Sequence, residues 1–376
     1  MGPLDGVRVV EIAGIGPGPF CAMLLADMGA EVVRVDRPAA GDDPGWPRLM
    51  ARGRRSVVVD LKHERAAEVV LRLAERADAL LEGFRPGVAE RLGIGPDACL
   101  VRNPRLVYGR MTGWGQSGPL RQAAGHDIDY IALAGALHPI GERGGPPVPP
   151  LNLLGDFGGG GLLLAFGIAC GLIEARRSGQ GQVVDAAIVD GAALLTTAVH
   201  ELAALGQWEE RRGTNLLDGG APFYRTYETA DGEHMAVGAL EPRFYGDLLD
   251  RLGLRAEDLP PQGDRQRWPE LCERLAAVFS TRTRSEWTER FEGSDACVAP
   301  VLRPSEAAIH PHNRARGAFV PVDGSPQPAP APRFSRTAPG APAPAPSPGQ
   351  HTDEVLSSIG FAEDEIAVLR AAGAIA

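Results

Sequence analysis

The sequence predicts an α/β protein in which a large domain holds a Rossmann-like parallel sheet and a smaller domain has an α+β arrangement. Strand-like apolar runs alternate with helical patterns up to Met111, which is typical of a parallel sheet. A hairpin pattern followed by helices after residue 222 indicates a second domain. The chain of 376 residues is 44% hydrophobic and 23% charged, which suits a globular protein large enough for two domains.

The first elements form a βαβ pattern with a glycine-rich loop after the first strand. The parts are a strand at Val7–Ile12, a helix at Phe20–Met28 and a strand at Glu31–Val35. The loop GIGPGP resembles a dinucleotide-binding fingerprint, and Asp36 stands about where a ribose-binding acid would. Pro17 and Pro19 remove N–H donors that a pyrophosphate needs, so an NAD-type site is the less favoured alternative.

The alternation continues with three further strands and one helix. The strands are Ser56–Asp60, Ala79–Glu82 and Leu106–Met111, and the helix is Glu64–Ala77. Ligands of such sheets bind beyond the carboxyl ends of the strands. The basic residues expected at these ends are Arg34, Arg37, Lys62 and Arg85. Four positive charges at one edge of an acidic protein favour a phosphorylated ligand such as coenzyme A or a nucleotide.

The second half of the chain is predicted to contain a hairpin and several helices. The helices are Gly158–Arg177, Asp185–Leu205, Arg243–Leu252, Trp268–Phe279 and Arg284–Glu292, and the hairpin strands are Phe223–Glu228 and His234–Ala239. The apolar run at 160–174 is shorter than a membrane span and is expected to be a buried helix. The Pro-rich stretch Pro321–Pro348 is expected to hold no regular element, and helical periodicity returns at Thr352–Ala372.

These patterns predict two domains joined by linkers. The large domain is assigned to residues 1–205 and 330–376, with the C-terminal helix returning to it. Residues 206–222 form a linker, residues 223–320 the small domain and residues 321–348 a Pro-rich linker.

Charge and cysteine content narrow the classes of function. A formal net charge of -10 argues against a chain built mainly to bind nucleic acid, which needs clustered Lys and Arg. The five cysteines are widely spaced and never form a CxxC pair, so neither a disulfide framework nor a zinc site is indicated. The N-terminal residues lack the pattern of a secretion signal, and nearly all basic residues are arginine. A cytoplasmic protein from a bacterium is therefore expected.

Two groups that can transfer protons near pH 7 lie beside glycines between residues 124 and 160. His126 follows Gly125 in AGHDIDY, and Asp156 lies in LNLLGDFGGGG. Glu241, next to Pro242, is a second carboxylate, and Asp156 would share a proton with it if the two met. The glycines around Asp156 would let a ligand lie against the backbone, where N–H groups would stabilise an oxyanion.

Each of these residues also has an ordinary structural interpretation. A lone histidine is more often a hydrogen-bonding residue than a catalyst. Asp156 would serve as the N-cap of a helix beginning at Phe157, since Asp is a favoured cap. Glu241 would be a solvated turn residue. The residue types alone therefore leave structural and catalytic roles open.

Several long motifs resemble one known family over nearly the whole chain. They are VRVVEIAGIGPGPFCAMLLADMGAEVVRVDRP, LEGFRPGVAERLGIGP, RMTGWGQSGP, AGHDIDY, LNLLGDFGGGG, GQGQVVDAAIVDG, TNLLDGGAPFYRTYETADGEHMAVGALEPRFY, SDACVAPV and HTDEVLSSIGF. In these motifs the sequence is similar to the α-methylacyl-CoA racemases, which belong to the CaiB/BaiF-like family III CoA-transferase superfamily.

The resemblance implies coenzyme A binding on the large domain and an interlocked homodimer. Each active site would lie between the large domain of one chain and the small domain of the other. His126 and Asp156 would be the two bases, Glu241 would hydrogen-bond near Asp156, and Asn152 would support the pocket. The implied coenzyme A contacts are Arg37, Val59, Asp60, Leu61, Lys62, Gly83, Phe84, Arg85, Arg91, Gly125, Asp127, Ile128, Asp129 and Tyr130.

The implied reaction is racemisation of a 2-methylacyl-CoA thioester through an enolate, with proton transfer on the two faces of the α-carbon. No metal or other cofactor is expected, because coenzyme A is part of the substrate, and neither nucleic acid nor a membrane is an expected partner. One alternative is a family III CoA-transferase that uses Asp156 as a nucleophile. Another is a non-enzymatic acyl-CoA-binding module, for which an acid–base pair would be unnecessary.

Overall fold

The computed structural model describes residues 2–38 and 48–376, which form two compact units. The first unit comprises Met1–Ala134, Leu151–Leu195 and Arg314–Ala376, and the second comprises Gly135–Pro150 and Thr196–Asn313. The predicted domain boundaries lie near residues 205, 223, 320 and 330, whereas the boundaries between the two compact units lie at residues 195 and 313. The second unit also includes Gly135–Pro150, which the prediction assigns to the large domain.

A six-stranded parallel sheet forms the centre of the first unit. Its strands are β1 (Arg8–Ile12), β2 (Glu31–Asp36), β3 (Arg54–Val58), β4 (Ala79–Glu82), β5 (Val107–Thr112) and β6 (Gln182–Ala187). They lie in the order β3-β2-β1-β4-β5-β6, and every neighbouring pair is parallel. The predicted α/β fold with a Rossmann-like sheet is thereby confirmed. The strand order reverses between β1 and β4, where sheets of this type bind ligands.

Helices cover both faces of this sheet. They are α1 (Pro17–Asp27), α2 (Ala66–Glu75), α3 (Val88–Arg91), α4 (Pro96–Arg102), α5 (Asp127–Leu133), a π-helix (Leu153–Leu162), α6 (Leu163–Ser178) and α7 (Ile188–Leu195). Alternate residues of β1 enter different apolar clusters. Val10 belongs to the cluster that contains Leu73 of α2, and Val9 to the cluster that contains Leu25 of α1 and Ile168 of α6. The two-residue period of the strand therefore builds a core on each face.

The sequence does not predict the strand at the edge of the sheet. Asp185–Leu205 is predicted as one helix, but this prediction is wrong at its start, because β6 pairs with β5 and α7 begins only at Ile188. The two valines of β6 are β-branched and favour a strand. Gly181 allows the chain to enter the sheet, since a Cβ there would lie 1.9 Å from the Leu106 carbonyl oxygen.

The glycine-rich segment before α6 forms the π-helix, which continues directly into α6. The prediction that Asp156 caps a helix beginning at Phe157 is therefore wrong: Asn152 is the cap, and Asp156 lies inside the π-helix. Close packing favours this arrangement, because the π-helix and α7 touch backbone to backbone. A Cβ on Gly191 would lie 1.9 Å from the Gly159 carbonyl oxygen.

The helix that the π-helix and α6 form together is less buried than the sequence predicts. One side packs on the sheet through residues such as Ile168, but Leu162, Phe166 and Ile173 are 56%, 66% and 69% exposed. Among the described residues, Leu153–Ser178 is the one helix that is long and apolar enough to cross a membrane by length and composition. The exposed residues are spaced to lie on one side of the helix, which is therefore apolar and open in the single chain.

The second unit contains a three-stranded antiparallel sheet and most of the remaining helices. The strands are β7 (Tyr224–Glu228), β8 (His234–Gly238) and β9 (Val298–Pro300), in that order. The helices that follow α7 are α8 (Thr197–Ala204), α9 (Pro242–Leu252), α10 (Trp268–Phe279), α11 (Arg284–Phe291), α12 (Pro304–Ala307) and α13 (Pro311–Ala315). Met235, Phe279 and Trp287 lie at the centre of its core. The predicted hairpin and the predicted helices at α9, α10 and α11 are confirmed.

The Pro-rich stretch contains a regular element that the sequence predicts to be absent. The strands β10 (Phe319–Val322) and β11 (Ser325–Pro328) form an antiparallel hairpin. Pro321 lies opposite Pro326, and the Ala329 N–H donates to the Ala318 carbonyl oxygen at 2.9 Å. In an antiparallel hairpin the ladder hydrogen bonds connect every second residue pair, so this bond leaves the Pro321–Pro326 pair among those without ladder hydrogen bonds. Because neither proline has to donate an N–H, the strands form in spite of them, and the prediction of no regular element is wrong.

The C-terminal segment packs on the first unit. It forms α14 (Thr352–Ser358) and α15 (Glu363–Ala371). The Thr352 hydroxyl donates to the Ala376 carbonyl oxygen at 2.9 Å, and the Asp60 N–H donates to the Ala374 carbonyl oxygen at 2.9 Å. The last residues of the chain thus lie beside the carboxyl end of β3.

We predict that Gly191→Ala lowers the thermal unfolding midpoint, because the added Cβ would push the π-helix away from α7. Overpacking of this kind typically costs about 1–3 kcal/mol. The matched control is Gly246→Ala in the middle of α9, where a Cβ would meet nothing within 4 Å. The control is expected to raise the midpoint, since Ala favours a helix over Gly by about 1 kcal/mol. Calorimetry of both variants tests this, and an unchanged midpoint for Gly191→Ala would contradict it.

Candidate active site

His126 lies directly before helix α5 and is exposed. Its backbone is extended, with φ -131° and ψ 173°, and its N–H donates to the Asp129 carboxylate at 2.9 Å. The Asp129 N–H donates in turn to the His126 carbonyl oxygen at 2.9 Å. These two bonds fix the backbone of His126 while its side chain remains accessible.

An aromatic pair supports the chain that leads into His126. The rings of Trp114 and Tyr130 meet edge to face with centroids 4.7 Å apart, and the Tyr130 hydroxyl donates to the Gly125 carbonyl oxygen. Gly113 and Gly125 make room for the Tyr130 ring, since a Cβ at these positions would lie 2.0 Å and 2.8 Å from ring atoms. The TGWG and AGHD motifs therefore build one support for the histidine.

Asp156 lies in the π-helix, partly buried, and two polar contacts hold it. Its side-chain Oδ2 accepts from the Asn152 amide at 3.3 Å. Its backbone N–H donates to Oδ1 of Asp127 at 2.6 Å. Because Asp127 directly follows His126, this second bond joins the two segments that contain the predicted bases.

The surroundings of Asp156 raise the pKa of its carboxyl group above the ordinary value. Burial is the largest cause. The Asn152 hydrogen bond opposes it, the negative charge of Asp127 raises the pKa further, and the charge of His126 lowers it. The effect of His126 on this pKa means that the two residues lie within electrostatic range of each other. Protonation of Asp156 near neutral pH therefore costs less free energy than protonation of a surface aspartate.

Gly16, in the loop before α1, lies against the Asp156 carboxylate. Gly16 has φ +68°, and a Cβ there would lie 3.1 Å from Asp156 Oδ2. A buried ion pair supports the start of α1: Arg54 Nε lies 2.7 Å from the Glu11 carboxylate, and the Arg54 guanidinium also donates to the Pro19 carbonyl oxygen. The loop that resembles a dinucleotide fingerprint therefore admits a carboxylate side chain.

Two charged residues of β2 have partners inside the first unit that oppose roles suggested by the sequence. Arg34 contacts Glu11 at 3.1 Å and Asp36 at 2.8 Å, so the prediction that it belongs to a phosphate-binding edge is wrong. Asp36 also accepts from the Ser56 hydroxyl at 2.6 Å. Because both oxygens of its carboxylate already accept hydrogen bonds inside the first unit, the structure disfavours Asp36 as a ribose-binding acid and, with it, the NAD-type alternative.

The backbone around Asp156 is less open than its glycines suggest. The expectation that N–H groups here stabilise an oxyanion is wrong for the Asp156 N–H, which Asp127 occupies. The Phe157 N–H donates to the Asn152 carbonyl oxygen at 3.2 Å. Gly155 makes room for the Asp127 carboxylate, since a Cβ there would lie 2.4 Å from Oδ1. The glycines thus serve close packing inside the protein.

The loop after β4 lies beside the segment that contains His126. The exposed Arg85 donates to the Gln122 carbonyl oxygen at 3.4 Å, and the Gln122 amide donates to the Pro86 carbonyl oxygen at 3.0 Å. Burial raises the pKa of Tyr130, and the charge of Arg85 opposes this effect. Two of the predicted coenzyme A segments, 83–85 and 125–130, therefore adjoin.

A buried carboxylate orients the loop after β4. Glu82, the last residue of β4, accepts from the Phe84 N–H at 2.6 Å and from Arg110 Nε at 3.2 Å. Burial raises the pKa of Glu82 to about 7, and the Phe84 N–H and the Arg110 charge oppose this effect. The hydrogen bond that shapes the loop thus involves a group that titrates near neutral pH.

The remaining predicted coenzyme A contacts differ in accessibility. The exposed residues are Arg37, Lys62, Gly83, Arg91, Ile128 and Asp129. The partly buried residues are Asp60, Leu61, Phe84 and Gly125, and the buried residues are Val59, Asp127 and Tyr130. Val59 has none of its surface exposed, and it forms a bridge to Ile375. Its side chain is a core residue and lies out of reach of a ligand.

Glu241 lies in the second compact unit, directly before α9, and is exposed. Burial raises the pKa of the Cys297 thiol, and the charge of Glu241 adds to this effect. Asp156 and Asn152 belong to the first unit. The predicted hydrogen bond between Glu241 and Asp156 therefore stays a prediction.

Sequence reasoning missed the roles of Gly16 and Asp127 in this site. Gly16 is read from the sequence as part of a phosphate loop, and its placement against Asp156 depends on a tertiary contact. Asp127 is predicted to contact coenzyme A, yet its carboxylate accepts from an amide 29 positions away. The one local signal for the role of Asp127 is that two acidic residues, Asp127 and Asp129, follow His126. The sequence does not indicate which of the two holds the Asp156 backbone.

Known proteins resemble the chain along most of its length. The family model for CoA-transferase family III matches residues 4–352. The alpha-methylacyl-CoA racemase of Mus musculus is 52% identical over 366 residues, which covers 96% of this chain and 95% of the relative. The alpha-methylacyl-CoA racemase of Homo sapiens is 50% identical over the same length and shares. The crystal structure of a CAIB/BAIF family protein from Brucella suis has a TM-score of 0.83 at 24% identity and supports the fold. It covers 95% of this chain and 99% of that chain.

We predict that Asn152→Leu raises the pKa of the Asp156 carboxyl group further. The substitution removes the amide that favours the ionised form. Carbon-13 NMR titration of side-chain-labelled aspartate measures this pKa, with the Asp156 signal assigned through Asp156→Asn. The matched control is Asn313→Leu, which removes an amide that bonds the Ala307 carbonyl oxygen. A pKa that stays constant or falls in Asn152→Leu would contradict the assignment.

Proposed function

The chain belongs to CoA-transferase family III, and we propose that within this family it is an isomerase that racemises 2-methylacyl-CoA thioesters, with His126 and Asp156 as its acid/base pair. The main support is the 2.6 Å bond between the Asp156 amide and Asp127, which ties a carboxyl group of raised pKa to the segment of an exposed histidine. The identities of 52% and 50% to proteins named alpha-methylacyl-CoA racemase support the same reaction.

The reaction follows from the acidity of the hydrogen on the α-carbon of a thioester. Neutral His126 takes this proton from one enantiomer, and protonated Asp156 then donates a proton to the opposite face of the enolate. With the reverse protonation, the Asp156 carboxylate takes the proton and the imidazolium donates one. Each transfer breaks one bond to hydrogen and forms another, and contributes about 10²- to 10⁴-fold to the rate.

The electrostatics of the site suit a reaction that runs in both directions. Such a reaction needs two protonation states of similar free energy, one with the proton on His126 and one with it on Asp156. Burial and the Asp127 charge raise the pKa of Asp156 and bring it closer to the ordinary range of an imidazole. The cost of moving the proton between the two groups is thereby reduced.

A CoA-transferase that uses Asp156 as a nucleophile is the second candidate, and the family description favours it. A carboxylate nucleophile must be ionised when it attacks. Here burial and a neighbouring carboxylate favour the protonated form of Asp156, and a histidine lies in its electrostatic range. These features favour proton transfer over covalent catalysis.

The coenzyme A part of the substrate is assigned to the loops beyond the carboxyl ends of the strands. The adjoining segments 83–85 and 125–130 support this assignment. Arg37, Lys62 and Arg91 are exposed and would contact the phosphates. No cofactor beyond the substrate is proposed, because the thioester itself acidifies the α-hydrogen and the two bases move the protons.

We further propose an interlocked homodimer in which Glu241 of one chain acts near Asp156 of the other. The exposed apolar side chains Leu162, Phe166 and Ile173 support self-association, since a second copy would cover them. A cytoplasmic location in a bacterium is part of the same proposal. The five free thiols are compatible with a reducing compartment.

Each enantiomer of a 2-methylacyl-CoA, incubated with the protein in D₂O, is expected to gain deuterium at the α-carbon and to lose stereochemical purity. His126→Gln and Asp156→Asn are each expected to slow racemisation by about 10²- to 10⁴-fold. The matched controls are His312→Gln and Asp97→Asn, two exposed positions outside the site. Mass spectrometry measures the deuterium gained at the α-carbon, and chiral chromatography measures the loss of stereochemical purity.

Two results of this experiment would overturn the proposal. Transfer of coenzyme A to a free carboxylic acid without α-deuteration would establish the transferase. Racemisation at the parent rate in either His126→Gln or Asp156→Asn would remove that residue from the mechanism.

We predict that Phe166→Asp weakens self-association, because it places a charge within the apolar face of α6. The matched control is Val101→Asp on α4, a position that is 82% exposed and distant in sequence from that face. Sedimentation velocity over a range of protein concentrations measures the dimer fraction. A parent protein that stays monomeric would contradict the homodimer. Equal dimer fractions in the two variants would contradict the assignment of the apolar face of α6 to its interface.

A further inference from the structure

Asp127 is a buried carboxylate that the proposed reaction does not use directly. It is 8% exposed, although it is the first residue of α5 and directly follows the exposed His126. Its Oδ1 accepts from the Asp156 N–H at 2.6 Å. Within the described part of the chain, its Oδ2 is buried without a hydrogen-bond partner. A carboxylate is costly to bury with so few partners, so its retention needs an explanation.

The neighbouring residues are fitted to this carboxylate. A Cβ on Gly155 would lie 2.4 Å from Asp127 Oδ1 and 2.8 Å from its Cγ. Any larger residue at position 155 would therefore displace the carboxylate or the π-helix. The same Cβ would lie 2.9 Å from a methyl group of Ile131, also on α5. Gly155 thus allows α5 and the π-helix to approach at this point.

We propose that Asp127 is a positioning residue that sets the separation of His126 and Asp156. Its main chain is bonded covalently to His126, and its side chain holds the backbone of Asp156. A change in either link would move one base relative to the other. This inference rests on the proposed function, since it concerns the same acid/base pair.

A direct contact with coenzyme A is the other role open to Asp127. Its burial and its engaged Oδ1 disfavour this role, and Ile128 beside it is exposed and accessible to a ligand. A negative side chain would also repel the phosphates of coenzyme A. The geometry therefore favours positioning over ligand binding.

The charge of Asp127 adds an effect that can be measured separately from the tether. The elements packed against the π-helix are α1, α5, α6, α7, β5 and β6. Their charged or titratable residues are Asp127, Asp129 and Tyr130 on α5, Asp190 on α7, Cys21 and Asp27 on α1, Cys170, Glu174, Arg176 and Arg177 on α6, Tyr108 and Arg110 on β5, and Asp185 on β6. Of these groups, Asp127 raises the pKa of Asp156, and His126, before α5, lowers it.

The sign of the pH effect follows from these charges. Asp156 must be ionised to remove the α-hydrogen from the enantiomer that it serves, so this exchange is lost as the pH falls through the Asp156 pKa. Removal of the Asp127 charge lowers that pKa. The acid limb of this enantiomer's exchange profile is therefore expected to move to lower pH.

Two substitutions separate the tether from the charge. Asp127→Asn keeps an oxygen that accepts from the Asp156 N–H and removes the charge, whereas Asp127→Ala removes both. We expect Asp127→Ala to slow exchange by about 100-fold, as misplacement of a reacting group by about 1 Å does. Asp127→Asn should retain most of the exchange rate and show the shifted acid limb. Affinity for coenzyme A should match the parent protein in both variants, and Asp97→Asn is the charge-matched control.

A second measurement tests the tether without catalysis. In protein labelled with nitrogen-15 aspartate, the Asp156 amide proton should exchange slowly with water in the parent and in Asp127→Asn, and faster in Asp127→Ala. This measurement needs no substrate. It therefore remains decisive if the parent protein fails to exchange the α-hydrogen, a result that would remove the proposed function alone.

The inference is overturned if Asp127→Ala keeps the parent rate of α-exchange, or if its Asp156 amide proton remains as protected as in the parent. Weaker coenzyme A binding in both variants with an unshifted acid limb would also overturn it, in favour of a ligand contact. Loss of exchange in Asp127→Ala together with the shifted limb in Asp127→Asn supports it. If Asp127→Ala fails to fold, Asp127→Glu replaces it, because this variant keeps the charge and an accepting oxygen but lengthens the link to the Asp156 N–H by one methylene group. Exchange at the parent rate in Asp127→Glu would then overturn the inference.

Discussion

The hydrogen bond from the Asp156 N–H to the Asp127 carboxylate, 2.6 Å long, is the interaction on which the candidate site depends. It joins a short helix that begins directly after one base to a π-helix that contains the other. Neither segment would hold this position by its own propensity, since α5 is short and the π-helix is rich in glycine. The bond is a tertiary contact that supplies the stability which the two segments lack on their own.

Glycine makes this contact and its surroundings possible. Gly155 admits the Asp127 carboxylate, Gly159 and Gly191 let two helices touch along their backbones, and Gly16 admits the Asp156 carboxylate next to α1. Each of these glycines loses more conformational entropy on folding than another residue would, because glycine is the most flexible residue in the unfolded chain. The cost is offset by close packing, which also partly removes Asp156 from water and raises its pKa. One constraint, the close approach of backbones, thus governs both the shape of the site and its proton affinity.

The sequence predicts the parallel sheet and most helices because these elements depend on apolar periodicity, which is local. It fails where a tertiary partner decides the outcome. The edge strand β6 depends on pairing with β5, and the hairpin within the Pro-rich stretch depends on the register of its prolines. In the site, the neighbouring glycines single out His126 and Asp156 as candidates, and their catalytic roles are implied by the resemblance to the α-methylacyl-CoA racemases. The ion pair between Arg34 and Glu11 and the hydrogen bond between Asp127 and the Asp156 N–H depend on residues distant in sequence. No local pattern therefore predicts them.

In the proposed mechanism, an imidazole and a carboxyl group reach opposite faces of one carbon atom. A crystal structure of the protein with a bound 2-methylacyl-CoA tests this claim most directly, through the distances from the α-carbon to the nearest His126 ring nitrogen and to the nearest Asp156 carboxyl oxygen. We expect both distances to be about 3–3.5 Å, with the two groups on opposite sides of the carbon. An α-carbon within reach of one group alone, or of both on the same face, would contradict it.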